Sequence, residues 1–180
     1  MEEKLNLIKS NEKGKPKMVG EVWAIQKFKD GTEIKHEIGK NIIVDDATII
    51  VAQLLKNDSV NGLTHLAVGQ GNVAWDPMSP PAAVSTQTEL ESEFYRKVFT
   101  STRYVVMPGG TTSITPTNNI ELETTYDYTE AIGAIVEMGL FGVNATNTLN
   151  SGSMFNARNF SVINKNNNST LTFTWRISIL

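Results

Sequence analysis

The stretch Leu171-Thr172-Phe173-Thr174-Trp175-Arg176-Ile177-Ser178-Ile179, near the end of the chain, decides the fold class. Its large apolar side chains occupy every second position, and threonine, arginine and serine fill the positions between them. Because successive side chains of a β-strand point to opposite faces, this pattern predicts a strand with one face on a core and the other in solvent. A strand of this kind is typical of an antiparallel sandwich.

Further strands are predicted along most of the chain. Residues 19–28 and 34–38 alternate on either side of Asp30-Gly31, a pair that favours a tight hairpin because both residues tolerate positive φ. Strand-like segments follow at residues 64–69, 94–106, 120–128, 131–143 and 154–162. The fold class is therefore predicted as mainly β, an antiparallel, jelly-roll-like β-sandwich that occupies residues 19–180 as one domain.

One short helix is predicted at about residues 46–56. Asp45-Asp46 would cap its N-terminus, and apolar residues recur after them at helical spacing until Asn57-Asp58. The other non-strand segment is the lysine-bearing start of the chain, residues 1–18, where large apolar side chains are few. We predict that it forms an extended arm. The arm would either contact a neighbouring subunit or fray as a free terminus.

Composition excludes several classes of function. The 180 residues are 40% hydrophobic, with 16 basic and 19 acidic side chains and a net charge of −3. This charge balance argues against a dedicated nucleic-acid binder. Cysteine is absent and only His36 and His65 are histidines, so thiolate and multi-histidine metal sites are excluded. We expect no metal, no cofactor, no catalytic set and no membrane segment.

Glu137 is the acidic residue that most needs an explanation. It interrupts the apolar run of residues 131–143, and an unpaired buried carboxylate costs several kcal/mol. It should therefore meet a set of backbone N–H groups or an arginine, for which Arg96, Arg103 and Arg158 are the candidates. We predict two structural ion pairs, Glu137 with Arg158 and Glu93 with Arg96.

Several blocks, in this order, resemble a group of tailed-bacteriophage virion proteins. The blocks are residues 41–44, 66–72, 88–97, 137–141, 152–160, 163–165 and 171–177. Members of the group are capsid auxiliary (decoration) proteins, head or tail fibres, and baseplate or collar components. The resemblance implies a β-domain without a catalytic set, located in the virion after assembly in the bacterial host cytoplasm. Its partners would be a major capsid protein or tail and baseplate subunits.

Two functions follow from the resemblance as expectations, and a third stands apart from it. The first is a capsid auxiliary (decoration or cement) protein on the outer head surface, which the chain's small size and lack of a repetitive shaft favour. The second is an adaptor or adhesion module of a tail fibre, collar or baseplate, which would use residues 70–88 and 144–151 to contact a partner or a host glycan. The third is a carbohydrate-active enzyme, for which no catalytic set is visible.

The protein is expected to assemble with copies of itself, because virion positions come in symmetric sets. Exposed sheet edges are natural places for such pairing. The predicted assembly contacts are the lysines of the arm and one tryptophan of residues 70–88, a loop that contains three prolines. These residues are Lys4, Lys9, Lys13, Lys15, Lys17 and Trp75.

Overall fold

Eleven strands in two antiparallel sheets account for about half of residues 18–180, the part of the chain that the computed structural model describes. The strands of the first sheet, in spatial order, are β2 (Glu33–Lys40), β1 (Met18–Phe28), β11 (Ser169–Ile179), β8 (Asn119–Tyr126), β6 (Ser101–Val106) and β7 (Thr111–Ser113). The strands of the second sheet are β3 (Ile42–Ile43), β10 (Ser153–Lys165), β9 (Gly133–Gly142), β4 (Leu63–Gly69) and β5 (Glu93–Val98).

The alternating residues 171–179 form a strand, β11, as predicted. Phe173, Trp175 and Ile177 are almost fully buried, whereas Thr172 and Arg176 are only partly buried. The strand lies between β1 and β8, with Val22 opposite Trp175 and Leu122 on its other side. The predicted mainly β, two-sheet fold is confirmed.

Two apolar clusters hold the layers together. The larger lies between the sheets and combines Trp175 and Phe173 with Met138 and Leu140 of β9. The smaller covers the other face of the second sheet, where Phe141 and Leu90 pack with residues of β4, β10 and the segment before the helix. The second sheet is therefore buried on both faces, which explains why β9 is almost continuously apolar.

The helix, α1 (Ala47–Leu55), lies where the sequence predicts it, but Asp46 does not cap its start. Asp46 occupies the N-cap position in a helical conformation and makes no side-chain capping bond. Backbone bonds between residues three apart tighten the first turn instead, as in Ala47 N–H to the Val44 carbonyl at 3.1 Å. At the other end, Asn57 takes a positive φ of 58°, the left-handed conformation in which helices commonly end.

The segment of residues 94–106 was expected to be one strand, and this is wrong. It forms β5 in the second sheet and β6 in the first, so the chain crosses between sheets at Phe99 and Thr100. The Phe99 N–H donates to Thr64 of the second sheet, and the Thr100 N–H donates to Glu123 of the first. Apolar alternation is similar in both sheets, so composition alone does not mark such a crossing.

Candidate interaction surfaces

Glu137 lies at the neck of the long loop between β4 and β5, residues 70–92. Its side chain is fully buried and accepts three backbone hydrogen bonds. They come from the N–H of Gly71 at 3.0 Å, of Glu91 at 3.0 Å and of Ser92 at 2.8 Å. Burial raises the pKa of Glu137, and these three bonds oppose that rise. One carboxylate thus closes both ends of the loop.

The predicted ion pair between Glu137 and Arg158 is wrong, and the sheet register explains why. Asn159 lies opposite Glu137, whereas Arg158 lies opposite Met138. Paired residues share a face and successive residues alternate, so the two side chains point to opposite faces of the second sheet. Arg158 instead donates to the Ile38 carbonyl from Nε at 3.2 Å and Nη2 at 2.8 Å, which joins β10 to β2 of the other sheet.

Glu93 and Arg96 form an ion pair, and both side chains are completely buried. Arg96 Nη2 donates to Glu93 Oε2 at 2.7 Å, and Nη1 donates to the Ser151 carbonyl at 2.6 Å. The guanidinium also lies 4.5 Å from the centre of the Phe141 ring. These contacts tie β5 to the loop between β9 and β10, so residues 144–151, expected to touch a partner, are anchored by a buried charge pair.

Trp75 has a packing role in the same long loop. It is half-buried, and Gly71, with φ of +67°, leaves the space that its ring occupies: a Cβ there would lie 2.5 Å from the tryptophan. The Val162 N–H donates to the Pro77 carbonyl at 2.8 Å, which holds the loop on β10. The large apolar side chains that this loop exposes are Val73, Met78 and Val84.

The five arm lysines lie outside the described residues. Of the predicted arm, the structure describes only Met18, the first residue of β1, which packs against the larger apolar cluster.

Helix α1 presents apolar side chains to solvent. None of its nine residues is charged, and Ile49 and Leu55 are 58% and 84% exposed. Around the helix axis, Ile49 and Leu55 each lie about 60° from the exposed Ala52, so these three residues form a row on the solvent side of the helix. Exposed apolar groups placed together in this way are typical of a contact surface.

The outer face of the first sheet carries a network of charged groups that the sequence did not reveal. Arg176 of β11 donates to Glu121 of β8 from Nη2 at 2.7 Å, and Arg103 of β6 donates to the same carboxylate. Arg176 also lies over the Trp23 ring, 4.9 Å from its centre. The only signal in the sequence is that an arginine interrupts the threonine face of β11. Its partners come from strands far away in the chain.

The two histidines lie in strands, His36 in β2 and His65 in β4, and each contacts a polar side chain. His36 Nε2 lies 3.2 Å from Gln26 Oε1, and His65 Nδ1 lies 2.8 Å from Thr64 Oγ1. Burial lowers the pKa of each. Among residues 18–180, no three histidine, aspartate or glutamate side chains gather in a way that could hold a metal ion. In the same part of the chain, no helix is long and apolar enough to cross a bilayer.

Comparisons with protein-family models and with curated proteins find no match to this chain.

Proposed function

We propose that this chain is a non-enzymatic structural protein of a tailed-bacteriophage virion, and that it acts as an auxiliary (decoration or cement) protein on the outer surface of the head. The observation that carries the proposal is the apolar face of α1, where Ile49, Ala52 and Leu55 are exposed in one row on a helix without charge. Transfer of this face from water into a protein contact would be favourable by about 25 cal/mol per Å² of apolar surface, before the entropy cost of association is subtracted. The partner would be the major capsid protein.

The resemblance supports the class of protein. The blocks at residues 66–72, 88–97, 137–141 and 152–160 meet in space, because they form β4, β5, β9 and β10 and the neck of the long loop. They include Glu137 with its three N–H donors and the buried pair of Glu93 and Arg96. The similarity therefore lies in the residues that make the scaffold rigid. A rigid scaffold suits a protein whose role is to be held by its neighbours.

Assembly of several copies on a symmetric lattice would add weak contacts together. Each docked copy stabilises the particle by mass action, and linked contacts raise the overall affinity far above that of one site. No cofactor is needed for this role.

Antibody labelling of intact particles tests the location. An antibody against the protein, viewed by negative-stain microscopy, is expected to label heads. Label on tails would overturn the decoration role and would indicate a fibre, collar or baseplate component. Particles without label would overturn the virion proposal altogether.

Variants of α1 test the docking surface. Ile49→Lys with Leu55→Lys is expected to abolish co-sedimentation of the purified protein with heads that lack it. Ile114→Lys is the matched control, since Ile114 is 101% exposed and lies outside the helix. Unchanged co-sedimentation of the helix variant, with its circular-dichroism spectrum intact, would contradict docking through α1.

A further inference from the structure

A groove of about 500 Å³ lies on the outer face of the first sheet, away from α1 and the long loop. Its walls come from three neighbouring strands: Trp23 of β1, Lys35 and Glu37 of β2, and Arg176 of β11. The pairing of β1 with β2 is irregular here, because Val22 lies opposite Gly39 and Trp23 lies opposite Glu37. Such a bulge increases the local twist and re-aims side chains, and this makes a flat sheet face concave.

Arg176 holds Trp23 in place, and Glu121 in turn holds Arg176. The Arg176 guanidinium lies over the Trp23 ring, and two hydrogen bonds to Glu121 Oε2, at 3.2 Å from Nε and 2.7 Å from Nη2, hold that guanidinium. Arg103 bonds to the same carboxylate from the other side. The aromatic ring is therefore presented in a fixed orientation, which reduces the ordering cost of binding a ligand.

The charges in the groove are balanced. Two acids, Glu21 and Glu37, and two bases, Lys35 and Arg176, line it. A cationic ligand would meet two like charges, Lys35 and the Arg176 guanidinium that lies over the Trp23 ring. An anionic ligand would meet the two carboxylates. Because carboxylates accept hydrogen bonds and ammonium groups donate them, the walls suit a ligand whose groups both donate and accept.

We propose that this groove binds a neutral saccharide. A pyranose ring has an apolar C–H face that would lie against the side of the Trp23 ring opposite Arg176, and hydroxyl groups at its edge that would bond to Glu21, Glu37 and Lys35. Four of the seven residues that line the groove are charged and one is aromatic, a polar composition that suits a ligand rich in hydroxyl groups. The inference rests on the groove alone and does not depend on where the protein is located in a particle.

The test uses the full chain and four neutral oligosaccharides: cellohexaose, maltohexaose, mannohexaose and hexa-N-acetylchitohexaose. Each is titrated into ¹⁵N-labelled protein, up to about 10 mM because single-site saccharide contacts are weak. At least one is expected to shift the Trp23 indole N–H and the amides of residues 21–23 and 35–39. Trp23→Ala is expected to weaken its binding by about tenfold or more.

Two variants keep the result interpretable. Trp23→Phe retains an aromatic surface and is expected to bind more weakly than the natural chain but better than Trp23→Ala, so it serves if the alanine variant does not fold. Trp75→Phe changes a tryptophan in the long loop and is expected to leave the affinity unchanged.

Three results would overturn the inference: no binding by any of the four saccharides, shifts confined to residues 70–92 or 144–151, or an affinity that Trp23→Ala does not reduce. A hexalysine peptide is the counter-probe, and its binding in place of the saccharides would show that the groove recognises cations instead. Head labelling is measured separately, so either proposal can fail without the other.

Discussion

The carboxylate of Glu137 occupies the space that Gly69 leaves on the neighbouring strand. The two residues lie opposite each other in β9 and β4, and a Cβ on Gly69 would be 2.2 Å from Glu137 Oε1. From this position the carboxylate reaches the N–H groups of Gly71, Glu91 and Ser92. A missing side chain on one strand thus allows a buried acid on the next to close a loop of more than twenty residues.

Gly69→Ala is the first variant to make. Because the added methyl group meets the carboxylate and the Glu137 Cγ at 2.7 Å, we expect the free energy of unfolding to fall by about 1–3 kcal/mol. Urea unfolding followed by circular dichroism measures it. Gly62→Ala is the matched control, since nothing lies within 4 Å of a Cβ there. Equal stability of the two variants would contradict the close approach of Gly69 and Glu137.

Glu137→Gln tests the loop closure. The amide keeps one oxygen acceptor but turns its NH₂ group toward a backbone donor, so at least one N–H loses its partner. We expect a loss of about 1.5–3 kcal/mol, the usual contribution of a hydrogen bond to a charged group. Hydrogen exchange should accelerate at the amides of Gly71, Glu91 and Ser92. Glu89→Gln, at an exposed position of the same loop, is the control. A thermal midpoint identical to that of the natural chain would refute this role of Glu137.

The buried pair of Glu93 and Arg96 should show strong coupling. Arg96→Met leaves the Glu93 carboxylate buried without its cation, and we expect a loss of about 3–5 kcal/mol. Glu93→Gln with Arg96→Met should lose less than the sum of the two single changes, because no unpaired charge remains. Chemical denaturation of the four proteins measures the coupling. Lys35→Met, in the exposed pair with Glu37, should cost no more than about 1 kcal/mol, and additive losses at Glu93 and Arg96 would argue against a coupled pair.

Stability should decrease in mild acid because of the histidines. Burial lowers the pKa of His65 below its ordinary value of 6.5, with a smaller contribution from the Arg96 charge, and burial has the same effect on His36. The unfolded chain therefore binds protons at a pH where the folded chain does not, so the free energy of unfolding falls as the pH drops through 6.5.

The measurement compares urea unfolding at about pH 8 and about pH 5, a range that spans the ordinary histidine pKa. His36→Gln with His65→Gln should show a smaller decrease than the natural chain, because glutamine does not titrate. An equal decrease in both proteins would assign the acid sensitivity to carboxylates instead.

Local patterns predicted much of the fold correctly. The alternation of residues 171–179, the hairpin turn at Asp30-Gly31 and the apolar spacing of α1 each depend on neighbours within a few positions, and each lies where the sequence places it. Predictions were less successful where they had to name the group that a side chain bonds to or the sheet that a strand joins. Asp46 was given a capping role, but backbone bonds tighten the first turn instead, and residues 94–106 hide a crossing between sheets.

The candidate surfaces divide in the same way. That Glu137 must be compensated follows from its apolar surroundings and from the cost of burying a charge, which any reader of the sequence can derive. The register of β9 against β10 turns Arg158 to the other face of the sheet. Backbone N–H groups therefore compensate Glu137 in its place. The meeting of Trp23 and Arg176 likewise requires the first strand to pair with the last.

The sequence by itself determined which residues form strands and which side chains need a partner, because alternation and burial are local. Only the tertiary structure decided which partners meet, because shifting a strand by one residue turns every side chain to the opposite face.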